Sequence, residues 1–126
     1  MGTLGRRVTI AASIVVVAGA SWFGLKQYRC NQRSALFHRQ VKSIEQDAHE
    51  RLRIGTKRDD VSRFFAEHGI PFEIVESQAF GTLYTSGCAP LGCGTDRALI
   101  GVRVKLDSAG AVAEDAKVVA MYTDCL

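Results

Sequence analysis

Apolar and polar positions change rhythm three times along this chain. From Val8 to Leu25 the residues are apolar or uncharged without interruption, 18 in a row. A helix of that length spans about 27 Å, close to the ~30 Å hydrocarbon core of a bilayer. Over residues 31–53 the rhythm becomes steps of three and four. Leu36, Phe37, Val41, Ile44, Ala48 and Leu52 then share one stripe of an amphipathic helix. A shorter stripe of Val61, Phe64, Phe65 and His68 predicts a second helix. After Pro71 the period falls to two. Phe72–Ser77 and Ala79–Thr85 alternate loosely around Phe72, Ile74, Phe80 and Tyr84. Ala98–Leu106 alternates cleanly, with Ile100, Val102, Val104 and Leu106 on one face and Arg103 and Lys105 on the other. The predicted class is α+β: a transmembrane helix, an amphipathic linker helix, then a helix–helix pair and a small antiparallel sheet.

The punctuation fits those elements. Gly55 ends the first amphipathic helix, and Thr56-Lys57-Arg58-Asp59 reads as a capping arrangement, with Asp59 and Asp60 in the favourable first turn of the next. Gly69 supplies a left-handed stop and Pro71 forbids continuation. Gly55, Thr56, Val61, Phe64, Phe65, Gly69 and Pro71 are accordingly assigned to structure. His68 reads as a packing residue at a helix end, because no second histidine lies at ligand spacing.

The final hairpin has a register that follows from its turn. Asp107-Ser108-Ala109-Gly110 closes by pairing residue 107 with 111. That sets Ile100 beside Val118, Val102 beside Ala116, Leu106 beside Val112 and Arg103 beside Asp115, with Glu114 a misfit opposite Val104. Carried further, it brings Cys93 opposite Cys125, within reach of a disulfide. Cys88–Cys125 and Cys88–Cys93 are the alternatives, and Cys30 is expected to be free at the membrane edge.

Size narrows the function classes. Of 126 residues, the apolar segment and its basic flank leave about 75 for a core, a length that folds alone only marginally. A nucleotide-binding α/β enzyme, a barrel and a two-domain arrangement are excluded. The organisation read from the sequence is a signal anchor over 1–25, a basic juxtamembrane helix over 26–49 and an α+β domain over 50–126.

Charge is distributed unevenly. Residues 26–63 hold ten Lys/Arg against five Asp/Glu, and residues 64–126 hold four against eight. Lys26, Arg29, Arg33, Arg39 and Lys42 precede the first acid, Glu45, and suit anionic head groups. A basic nucleic-acid face would have to lie on the folded domain, which is acidic, so nucleic acid is excluded as a partner. The apolar run reads as an uncleaved anchor in the inner (cytoplasmic) membrane, with cleavage after Ala20 and secretion as the alternative. Its C-terminal flank is the more basic, which favours a cytoplasmic domain. The leader-like order of basic, apolar and small residues and the gathering of Cys88, Cys93 and Cys125 favour the outside. The outside is the expectation adopted.

Candidate chemistry is sparse. A thiol or metal site built on Cys88, Cys93 and Cys125 with a distant histidine is the alternative to an interaction module, although the C-x4-C spacing is looser than a zinc knuckle. No phosphate-cradling glycine loop and no paired catalytic carboxylates are apparent, so neither a cofactor nor an enzymatic activity is assigned.

Ile54-Gly55-Thr56, Val61, Phe64-Phe65, Gly69-Ile70-Pro71 and the stretch from Val104 to Val112 form a pattern of helix, Gly-Thr, helix, Gly-x-Pro and strands. Over residues 50–123 this resembles the small outer-membrane assembly lipoproteins (BamE/SmpA/OmlA-like) and the repeats of β-lactamase inhibitor proteins. The chain departs from the former in lacking a lipidation cysteine and in a helix lengthened by Ala66-Glu67-His68. The resemblance implies a fold; the function expected is a membrane-tethered envelope module that binds another protein through its sheet or its cysteine loop, with partner identity and oligomeric state open.

Overall fold

The computed structural model describes residues 2–125, the side chain of Leu4 excepted. The elements are α1 (Gly2–Arg51), α2 (Arg58–Glu67), β1 (Phe72–Val75), β2 (Gln78–Ser86), β3 (Arg97–Lys105) and β4 (Lys117–Tyr122). The strands form one antiparallel sheet in the order β1-β2-β3-β4. The fold is α+β. The chain divides into two compact units, Met1–Gln32 and Arg33–Leu126.

The first unit is helical. Its stretch is long and apolar enough to cross a membrane, a property that signal sequences share, and its large apolar side chains from Val8 to Leu25 are exposed. The Lys26 ammonium sits 5.3 Å from the ring centre of Trp22, a cation–π contact suited to a head-group boundary.

The second unit has two layers. Phe37, Ile44, Ala48 and Leu52 of α1 and its end join Val61, Phe64 and Phe65 of α2 over one face of the sheet. From that face rise Ala79, Ala98, Ile100, Val102 and Val104, all essentially inaccessible. The helix read from the sequence as a linker ahead of residue 50 therefore contributes core, and the compact unit begins at Arg33. Leu36 is a correction: it is exposed, because its neighbour Phe37 takes the inward position and adjacent helical residues point about 100° apart.

The turns carry the chain between layers. Gly55 has φ +93°, and its N–H donates to the Val112 carbonyl at 2.8 Å while the Val112 N–H donates to Thr56 O at 2.8 Å. The interhelical turn is thus pinned to the far hairpin. Thr56 does not cap α2. Its hydroxyl donates backwards to the carbonyls of Arg53 (2.7 Å) and Arg51 (3.1 Å), and Lys57, with no side-chain cap, precedes α2. Orphan carbonyls at the end of α1 were the stronger demand. At the other end of α2, Gly69 has φ +64°. Its N–H donates to Ala66 O and that of Ile70 to Phe65 O, the two bonds of a Schellman stop, with Ile70 buried as its apolar contact.

Two expectations about the sheet are corrected. On β2 the inward residues are Ala79, Gly81 and Leu83, while Phe80 and Tyr84 point outward. The cause is the close approach of the α2 stop. A Cβ on Gly81 would lie 2.8 Å from Ile70 and from the Pro71 carbonyl and 2.9 Å from Phe65, so bulk has no room there. The β3–β4 register also differs in mid-strand. Ile100 pairs with Ala120, Val102 with Val118 and Arg103 with Lys117, each partner two residues beyond the expected one. Near the turn the expected pair Leu106–Val112 stands. The extra residues lie around Glu114–Ala116 and bulge from the ladder, which frees Glu114 from Val104 and lets it accept from Lys105 at 2.7 Å.

Candidate functional site

The end of the sheet near Phe37 carries the cysteine loop. Between β3 and Cys93 a compensating pair of residues, Thr95 and Asp96, bulges from the other strand, so Cys93 again faces Cys125 and bonds to it. Asp96 organises the loop. Its carboxylate accepts from the Ala89 N–H at 3.0 Å and lies 3.6 Å from Arg33, and its carbonyl accepts from the Gly87 N–H. Thr95 donates to Asp124 at 3.2 Å. Cys30 is not free, in correction of the sequence expectation. It and Cys88 are both disulfide-bonded, as oxidising surroundings would have them. Cys88, Cys93 and Cys125 therefore offer no thiolate in this state. Among the described residues no cluster of three or more His, Cys, Asp or Glu is placed to hold a metal.

The basic residues expected at a membrane surface are all exposed. Lys26 and Arg29 belong to the first unit and Arg33, Arg39 and Lys42 to the second. Arg39 and Lys42 border a shallow groove of about 440 Å³ along α1, together with Ser43, Asp47 and His68. There His68 Nε2 lies 2.6 Å from Asp47, and Arg51 bridges Asp47 (3.2 Å) and Glu67. Burial works against the charge of Asp47, but the His68 hydrogen bond and the Arg51 guanidinium outweigh it and hold the carboxyl below its usual range. This network ties α1 to α2 and assigns His68 to helix packing, reinforced by its ring contact with Phe64 at 4.7 Å.

The outer face of the sheet, opposite the helices, is the notable surface. There β2, β3 and β4 present parallel rows. Tyr84, Leu99 and Met121 form one row; Thr82, Gly101 and Val119 the next; Phe80, Arg103 and Lys117 the third. The central row is low because Gly101 has no side chain. The result is a trough of about 340 Å³ crossing the strands, floored by Gly101 and walled by Leu99 and Met121 on one side and Phe80 and Arg103 on the other. Phe80, Val119 and Met121 remain 41–50% exposed and Tyr84 75%. An antiparallel sheet with one face in water ordinarily makes that face polar. Arg103 and Lys117, directly opposed, have no ion-pair partner among the described residues.

Sequence reasoning found Arg103 and Lys105 on this face and missed Lys117 and the apolar part. Alternation places Leu99 and Gly101 with Arg103 and Lys105, and those two positions were the available signal. The shifted register of β4 concealed Val119 and Met121. Asp47 and Arg51 stand four apart on α1, which was the available signal for that pair, while the second partner, His68, lies at the end of another helix. No family model, curated protein or solved structure matches this chain.

Proposed function

We propose that this protein is a membrane-tethered interaction module of the cell envelope that binds another protein through the outer face of its sheet. The observation that carries the reading is the apolar strip on the outer face, with Phe80, Tyr84, Val119 and Met121 exposed and Leu99 half-buried between them. The tether is the apolar helix of the first unit, inserted as a single span of the inner membrane with the folded unit outside. The disulfide-bonded cysteines support that side of the membrane. The kinship with outer-membrane assembly lipoproteins belongs to the same proposal, and its support is the order of helix, Gly-Thr turn, helix, Gly-x-Pro and antiparallel strands.

Two measurements test the reading. An alkaline-phosphatase reporter fused after Leu126 becomes active if the domain is exported, and inactivity reverses the topology. A photo-crosslinking residue at Met121 yields a discrete adduct in intact cells that the same residue at Ala66, exposed on α2, does not. Equal adducts from both positions, or none from either, overturn the role of the sheet face.

A further inference from the structure

The trough has a chemistry that specifies its occupant. Glycine inside a strand loses packing and conformational entropy, and where it persists it often marks a close approach by a ligand or another backbone. Nothing in the fold requires it at position 101. Its φ is not left-handed, and a Cβ there would meet nothing nearer than the Val119 carbonyl at 3.9 Å. Removing the side chain at this one position is what opens the floor between Leu99 and Arg103.

The cationic wall is the second observation. Arg103 and Lys117 face each other in register, an arrangement that costs stability when like charges sit directly opposite. Two acids lie nearby, and neither forms an ion pair with Arg103 or Lys117 among the described residues. Glu114 accepts from Lys105 at 2.7 Å and feels the charge of Lys117 only more weakly. Asp115 and Glu114 line a smaller recess of about 210 Å³ together with Arg103, Lys105 and Lys117, and Asp115 forms no ion pair with either cation among the described residues. A carboxylate supplied from outside would relieve the repulsion.

The third is the shape. The trough is open along one side, so an acyl chain in it would leave much of its length in water. A protein segment turns its own polar side outward and suits such a site. We infer that the occupant is a partner protein's segment that seats an aliphatic or aromatic side chain over Gly101 and presents an Asp or Glu to Arg103 and Lys117. This rests on the reading of the outer face as an interaction surface.

The test uses the full chain in nanodiscs and a random dodecapeptide display library. Selected peptides are expected to carry an acid adjacent to a large apolar residue. Their affinity should fall at least tenfold with Arg103→Glu/Lys117→Glu and at least tenfold with Gly101→Val. The Gly101→Val protein should melt no lower than the parent, which separates a filled trough from a damaged fold. Acid-free peptides blocked by Gly101→Val but indifferent to the charge reversals overturn the inference and leave the sheet face as the interaction surface. Peptides indifferent to both changes, or no enrichment over empty nanodiscs, overturn both.

Discussion

The two faces of the sheet are built from the same strands and obey opposite rules. On the inner face the rows are closed by helices, and Ile100, Val102 and Val104 are inaccessible. On the outer face Val119 and Met121 are half exposed. Each face has one central glycine, and the pair isolates the difference. Gly81 is a glycine because a Cβ would collide with Ile70, Pro71 and Phe65. Gly101, on the next strand, has open space above it. One glycine lets the molecule close on itself; the other leaves it open to something else.

Truncation should separate the faces most sharply. Phe65 is fully buried, edge-on to Phe64 and stacked on Phe72 at 4.9 Å. Phe65→Ala should cost about 3–5 kcal/mol as a core cavity. Met121→Ala on the outer face should cost no more than about 0.5 kcal/mol. Thermal melts of both variants check the contrast. A large loss from Met121→Ala would mean the outer face is structural.

The Cys93–Cys125 bond comes next in size. In the chain-entropy model, a loop with this separation of 32 residues adds about 3–4 kcal/mol. Cys93→Ser/Cys125→Ser should lower the denaturation midpoint accordingly while the outer face still binds its partner, since neither residue lines the trough. Loss of binding at temperatures where the variant stays folded would show that the loop takes part in recognition.

That bond also shows how the sequence could be read and where it misled. Extrapolating the register from the Asp107–Gly110 turn brings Cys93 opposite Cys125, and the two are bonded. The intervening pairs are displaced, however, because a bulge near Glu114 on one strand is cancelled by another at Thr95-Asp96 on its neighbour. Turn chemistry and cysteine position are local and legible; bulges respond to neighbours such as Lys105 and Arg33 and are not. The helices were legible from periodicity, and the Gly69 stop from its position after an apolar stripe. The β2 faces were misread because size is a guide to burial only where the facing layer leaves room, and α2 leaves none above Gly81. The trough was partly visible: Arg103 stood out in the alternation, Lys117 was concealed with the rest of β4, and the floor is a residue whose contribution is the absence of a side chain.

Asp47 tests the closed side by pH. Its carboxyl is held below the usual range in the folded protein. The stability it contributes is therefore complete above the unfolded carboxylate value and disappears as pH falls through the lower, folded one. Asp47→Ala should cost about 1.5–3 kcal/mol near neutrality, the range for a hydrogen bond to a charged group. Melts from pH 6 down to pH 2 should show a smaller acid-induced loss in Asp47→Asn than in the parent. An identical acid limb in the two proteins would remove Asp47 from the helix–helix linkage.

For the two glycines the expected signs are opposite. Gly81→Ala inserts a methyl group against the Pro71 carbonyl and the Phe65 ring, and overpacking of this kind costs about 1–3 kcal/mol. Backbone cannot swing aside as a side-chain tip can, so relief must come from moving the whole α2 stop. Gly101→Ala meets no atom within van der Waals contact except the Val119 carbonyl at its limit. It should gain about 0.5–1 kcal/mol, because alanine has less conformational freedom to lose on folding. For a unit of this size such a gain raises the melting temperature by roughly 2–8 °C. Paired melts of the two alanine variants decide the matter. If both are destabilised alike, Gly101 is held by the fold and the trough is a by-product of packing. If only Gly81→Ala loses stability, the chain keeps at residue 101 a glycine that costs it stability, and the reason for that glycine lies outside its own core.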